Sequence, residues 1–255
     1  MTSTTMRDLI DAGLHFGHET RRWNPKMKPY LYSQSNGIHI IDLRQTVVLL
    51  EQALTFVREA VGDGGKILFV GTKKQARNSI AQHAESVEMP YVNFRWLGGM
   101  LTNFQTIRQR ISYMKELESE ENSGEMLSRP KKERLRLRRD LQKLRQSLGG
   151  VRDLNELPAG VFVIDVNAEE TAVREATRLE IPIVALVDSN CNPEPINYVI
   201  PGNDDAIRAA ELICSMVSNA CLEGRELAKK KASAKKKKKK SASPGRPASR
   251  ISRRR

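Results

Sequence analysis

Cysteine is scarce in this sequence. There are three, Cys191, Cys214 and Cys221, and no C-x-x-C pair. A sparse, odd set in a chain of 255 residues argues against a disulfide framework and for a reducing compartment. Cys214 and Cys221 fall on an apolar helical pattern, where cysteine behaves as a small core residue. No apolar run approaches the roughly 20 residues that a membrane span requires, and Met1–Leu14 carries Asp8 and Asp11 where a secretory leader would be apolar. A cytoplasmic protein is expected, with no membrane partner and an organelle as the open alternative. Catalytic signatures are missing too. There is no G-x-S-x-G, no H-E-x-x-H, and no histidine in evident partnership with Cys191. Glu169 and Glu170 open a helix, where its dipole accounts for them. No enzyme, no required cofactor and no small-molecule substrate are expected.

What is present is an alternation of strand and helix signals. Ile67–Gly71, Val161–Val166 and Ile181–Val187 are short continuous apolar runs, as expected of parallel strands covered on both faces. Ile38–Asp42 and Tyr91–Arg95 are weaker candidates. Helical spacing links Val47, Leu50, Leu54, Val57 and Val61, then Ala76, Ile80, His83 and Val87, then Ala172, Ala176 and Leu179. A last helix follows through Ile207, Ala210, Ile213, Val217 and Cys221. The pattern predicts an α/β fold with a mostly parallel sheet covered by helices, over residues 1–103 and 149–228.

Residues 104–148 depart from it. Phe104, Ile107, Ile111, Met114 and Leu117 form one apolar stripe, Leu137, Leu141, Leu144 and Leu148 another, and a polar stretch broken by Gly124 and Pro130 separates them. This predicts an inserted antiparallel helical hairpin, a coiled-coil arm protruding from the domain. Residues 129–145 hold nine basic residues against Glu133 and Asp140, which points to an RNA or protein contact beyond a solvated face. The net charge of +13 lies in the tail: residues 229–255 carry nine Lys, five Arg and no acid, so the rest is near neutral. Such a tail is expected to be disordered when free and to bind a polyanion through counterion release.

Aromatics make up only 5% of the chain, so clusters that mix them with basic residues stand out. Arg21, Arg22, Trp23, Lys26, Lys28 and Tyr30 share one proline-containing segment, which the prolines should keep from being helical. Arg95, Trp96 and Asn103 share a second segment with a Gly-Gly turn, and Arg108 follows it. These residue types stack on bases and bond ribose and phosphate; a buried tryptophan is the plain alternative for either Trp. Thr102 or Asn103 can N-cap the first arm helix. Gly71-Thr72-Lys73-Lys74 runs from a strand into a helix, with Arg77 beyond, and suits a phosphate. A phosphodiester backbone, a nucleotide or sugar phosphate bound by an enzyme, and an ordinary turn with exposed lysines all fit it. Finally, His18, Asp188, Asp204 and Asp205 would form a mixed nitrogen and oxygen set acceptable to zinc if their loops meet at the sheet's C-terminal edge. Helix capping by Asp204 and Asp205 is the competing explanation.

Several of these segments together resemble a known family. GLHFGH at Gly13–His18, WNPKMKPY at Trp23–Tyr30, FVGTKKQA at Phe69–Ala76 and RWLGGMLTNF at Arg95–Phe104 are similar to the bacterial-type small-subunit ribosomal protein S-two family. So are FVIDV at Phe162–Val166, IPIVALVDSNC at Ile181–Cys191 and IPGNDDAIRA at Ile200–Ala209. The resemblance implies a flavodoxin-like domain with a protruding hairpin, and binding to small-subunit rRNA where the head of the subunit meets its body. It also implies neighbouring ribosomal proteins as partners, with help in anchoring the mRNA-binding ribosomal protein S-one. The chain departs from the family pattern at Pro158-Ala159-Gly160, and at Asn192, where the family carries Asp. An extraribosomal adhesion role, known among eukaryotic relatives, is the rival reading, which the inserted arm argues against.

Overall fold

The computed structural model describes residues 6–241, with side chains to Lys231. Two sheets share the described residues. The larger is parallel and built from β4 (Ile67–Val70), β5 (Tyr91–Val92), β6 (Gly160–Ile164), β7 (Ile183–Val187) and β8 (Tyr198–Pro201), in the spatial order β5-β4-β6-β7-β8. Counted within the sheet this is the order 2-1-3-4-5, the flavodoxin-like winding, whose switch point lies between β4 and β6. The apolar runs are continuous because both faces are covered. Leu68, Val70, Val161, Val163 and Ala185 pack toward α6 (Glu170–Arg178) and the root of the arm. Ile67, Phe69, Phe162, Ile164 and Leu186 pack toward α2 (Leu43–Gly62), α3 (Arg77–Ser86) and α7 (Ile207–Ser241). Phe69 and Phe162 meet edge to face at 5.4 Å and are fully buried.

Of the smaller sheet only one strand, the weaker candidate at Ile38–Asp42, was marked in the sequence. This sheet joins β1 (Phe16–Glu19), β2 (Leu31–Ser35) and β3 (Ile38–Ile41) antiparallel in the order β1-β3-β2, after a short α1 (Met6–Asp11). β2 and β3 form a hairpin closed by Asn36-Gly37, with φ of 51° and 76°. A two-residue turn with both φ positive is the Asn-Gly hairpin signal, and it was available in the sequence. The segment Pro25–Tyr30, expected to be kept non-helical by its prolines, is a 3-10 helix. Pro25 takes the first position, where the missing N–H costs nothing, and the Asn24 side chain caps the turn by accepting from Lys26 N at 3.0 Å.

The arm is α4 (Phe104–Ser123) and α5 (Lys131–Leu148), joined by Gly124 at φ 81° and a 3-10 turn over Glu125–Ser128. Ile107, Ile111, Met114, Leu117, Met126, Leu141 and Leu148 are its buried seam. At 1.5 Å per residue α4 is about 30 Å long. α7 runs on to Ser241, so the first part of the basic segment, 229–241, is helical where disorder was expected. Lys and Ala are good helix formers, and extending an existing helix needs no nucleation. Lys231 Nζ reaches Asp63 at 2.8 Å. The remainder of that segment, 242–255, lies outside the described residues.

Replacing Phe162 by Ala empties the centre of the sheet and should cost about 3–5 kcal/mol. Denaturant titration should show a lower midpoint with an unchanged slope.

Candidate nucleic-acid interface

Every candidate residue outside the arm lies on, or is tied to, a loop leaving the C-terminal edge of the large sheet. At the switch point, Gly71–Lys74 follows β4. Here the structure corrects the reading of a phosphate cradle. The Thr72 N–H donates to Glu169 Oε1 at 2.7 Å, so an internal carboxylate takes the anion's place. Lys73 Nζ lies 2.6 Å from Asp204, 2.6 Å from Asp205 and 3.1 Å from Asp165. Burial works against its charge, but these carboxylates outweigh it and hold the lysine pKa above its ordinary value. Lys73 is therefore neutralised from within. Lys74 is exposed; Arg77 is half-buried, bonds Thr72 O at 2.6 Å and lies over the Phe94 ring.

The four candidate metal ligands do converge. His18 Nδ1 lies 3.0 Å from Asp188 and Nε2 lies 3.2 Å from Asp205. His18 reaches this position because Gly17 lets the chain press onto Ser189; a Cβ at Gly17 would fall 2.8 Å from Ser189 Oγ. The hydrogen bond to Asp188 raises the histidine pKa despite partial burial. Asp204 is buried with its Oδ2 lacking a hydrogen-bond partner among the described residues. Burial and the neighbouring Asp165 and Asp188 push its pKa up to about 7 against the opposing pull of Lys73. One donor atom from each of His18, Asp188 and Asp204 lies within 4.8 Å of the others, and Asp165, Cys191 and Asp204 form a second such trio. Asp165 and Cys191 were not among the candidates; Asp165 stands just after β6 at a left-handed φ of 67°.

The first basic–aromatic loop is anchored to the same edge by Asn24 N donating to Ser189 O at 2.8 Å. Arg21, Arg22 and Lys28 are exposed, Lys26 pairs with Glu194, and Trp23 is half-buried against His39, ring centres 5.1 Å apart. In the second loop Arg95 is exposed, but Trp96 is not available for stacking on a base. It is 8% exposed, part of the core, and its Nε1 donates to Glu175 Oε1 at 2.9 Å. Asn103 stands at the N-cap of α4 with its side chain accepting from Thr106 Oγ1, not from a backbone N–H. Arg108 is exposed on the next turn.

Glu175, on α6, went unnoticed in the sequence, where it reads as one more helix glutamate. Its two oxygens accept from Trp96 Nε1, the N–H groups of Gly99, Leu101 and Thr102, and Thr102 Oγ1, at 2.8–3.0 Å. Burial alone would raise its pKa, yet these donors outweigh it and hold the carboxyl below its usual range. One carboxylate thus gathers the loop from which the arm departs.

Such a scaffold presents cations on loops and keeps its titratable groups internally paired, the character of a binding protein. Comparison with known proteins bears on which one. Residues 9–224 match the family model described as ribosomal protein S2. The chain is 55% identical over 224 residues to the small ribosomal subunit protein uS2 of Mycolicibacterium gilvum (strain PYR-GCK), covering 88% of this chain and 80% of the relative. Against the uS2 proteins of Nocardia farcinica (strain IFM 10152) and Mycobacterium leprae (strain TN) it is 53% and 52% identical. Those two matches cover 88% and 89% of this chain, and 79% and 82% of the relatives. The chain belongs to the ribosomal protein S2 family, whose members are structural, non-enzymatic constituents of the ribosome.

Replacing Glu175 by Gln turns an NH2 toward backbone donors and should cost about 2–3 kcal/mol at neutral pH. Because the folded pKa is lowered, the carboxylate's contribution is complete above about pH 4.5, its ordinary value, and is lost as pH falls through the folded value. Denaturant titrations of parent and variant should therefore converge as pH is taken below 4.5.

Proposed function

We propose that the chain is a structural constituent of the small ribosomal subunit that binds small-subunit rRNA with the loops at the sheet's C-terminal edge. The observation that carries this reading is the set of exposed cations Arg22, Lys28, Lys74, Arg95 and Arg108, none with a carboxylate partner among the described residues. Arg22 and Lys28 share a segment with the half-buried Trp23, while comparable cations such as Lys73 are neutralised internally. Family membership supports a site at the junction of head and body, contacts with neighbouring ribosomal proteins, a supporting role in docking the mRNA-binding protein S-one, and work in the cytoplasm. Small subunits purified without this protein should take up one copy each at near-physiological salt, measured by sedimentation. Trp23→Ala should weaken that binding by about 1–3 kcal/mol. Replacing Lys74 or Arg95 by Gln should lower the salt dependence, log K against log salt, by about 0.7–0.9 for each phosphate no longer neutralised. Trp96→Ala should act on fold stability instead.

A second reading concerns zinc. Asp204 Oδ2, buried and without a hydrogen-bond partner among the described residues, is the observation in its favour. His18, Asp188 and Asp204 supply the nitrogen and oxygen donors zinc accepts, with Asp205 adjacent through His18. The ion would offset buried negative charge, a role Lys73 already fills in part. Metal analysis of the purified protein should find about one zinc per chain, and Asp188→Asn should reduce it to background. Metal-free parent protein counts against the site.

A further inference from the structure

α2 buries one face in the core and turns another to solvent. On that outer face Val47, Val48 and Phe56 line a groove of about 630 Å³ together with Tyr198 of β8, whose ring stacks on Phe56 at 4.5 Å. Val48 is 58% exposed. Glu51 and Glu59 stand on the rim. Glu51 is held by Arg58, whereas Glu59 is exposed and has no ion pair among the described residues. An apolar floor with an acidic rim is complemented by an apolar side chain set among cations.

α7 leads toward a segment of that chemistry. Arg58 bonds Glu223 at 2.7 Å, Gly62 lies against Gly224 and Leu227, and Asp63 pairs with Lys231 at 2.8 Å. The paired positions rise together along both helices, so α7 runs parallel to α2 here and passes its end. The described residues stop at Ser241, ten residues or about 15 Å further on. Residues 242–255 carry five Arg, no acid and one large apolar side chain, Ile251. The Phe56 end of the groove lies about 25 Å back from Ser241. The ten residues from Ser241 to Ile251 can span about 33 Å, so the reach suffices.

We propose that in the free chain residues 242–255 fold back along α2, seating Ile251 in this groove with Arg250 and Arg253 beside Glu51 and Glu59. The tether decides between occupants. A segment on a short linker meets its site at an effective concentration of about 1 mM, so even a millimolar contact is about half filled. A separate basic protein has first to displace it. The contact is autoinhibitory: arginines seated on α2 are withheld from polyanions, and phosphate must compete for them. Because the rim acts through exposed charge, the contact weakens as salt rises. The inference concerns the chain alone and goes beyond the ribosomal reading without depending on it.

The test uses the full chain with a nitroxide attached through Ser252→Cys. Cys191, Cys214 and Cys221 are buried, so the label goes to the new site. Methyl NMR at near-physiological salt reads which valines the nitroxide broadens. Val47 and Val48 should broaden, and Val173, packed on the opposite side of the sheet, should not. Ile251→Ser should remove most of the broadening at Val47, and Val48→Asp with Glu59→Lys should abolish it. Val48 and Glu59 are both exposed, and an unchanged thermal midpoint checks the fold. If Val47 and Val48 stay sharp in the labelled parent, the inference is wrong. Broadening that survives both variants yet disappears at high salt means that charge alone holds the segment near α2, and the groove assignment is overturned. Isotope-labelled chains without nitroxide are also mixed with unlabelled chains that carry it. Sharp Val47 and Val48 signals in that mixture support the fold-back; broadened ones mean that a second copy supplies the segment, and overturn it.

Discussion

Lys73 sits where the loops after β4, β6 and β8 converge, and its ammonium is the charge that lets them do so. Asp204 is 1% exposed, with Asp165 beside it and Asp188 fully buried nearby. Carboxylates packed this closely in a poorly solvated place repel one another and resist ionisation, which is why Asp204 is pushed up to about 7. The lysine supplies the compensating charge from one side, and His18 bridges Asp188 and Asp205 from the other. His18 belongs to β1, so the same cluster attaches the small antiparallel sheet to the large parallel one. The crevice at the switch point, where flavodoxin-like folds commonly receive ligands, is thereby occupied by the protein's own ions.

The consequence for function is a rigid edge. Catalytic sites keep perturbed groups accessible to a substrate. Here Lys73 and His18 are engaged with Asp165, Asp188, Asp204 and Asp205, and other cations stand on the outside. Glu175 extends the same logic to the arm. Its carboxylate collects three backbone N–H groups, a hydroxyl and the indole of Trp96 from one turn of chain, replacing the water those donors would otherwise hold. The loop between β5 and α4 is therefore fixed, and the arm leaves the body in a defined direction.

Much of this was legible in the sequence. Continuous apolar runs marked β4, β6 and β7, and 3-4 spacing marked α2, α3, α6 and both arm helices, because burial on two faces or along one stripe leaves a period in the residue order. β1, β2 and β8 escaped because they are short and only weakly patterned, while β3 and β5 gave fainter signals. The convergence of His18, Asp188 and Asp204 was reachable from the rule that such loops share a sheet edge. The inclusion of Asp165 and Cys191, and the commitment of Lys73, were not.

By itself, then, the sequence determined the fold class, the insertion and the family, since periodicity and motif order are one-dimensional properties. Which cations are free for a partner was decided only by tertiary structure. Lys73 and Lys74 are neighbours of the same residue type, yet one lies among three carboxylates from distant loops and the other in solvent. Trp23 and Trp96 sit in similar basic–aromatic segments, yet one remains at the surface and the other donates to a buried glutamate. A charge or a ring acquires its role from what burial brings within about 3 Å of it, and those neighbours lie far away along the chain.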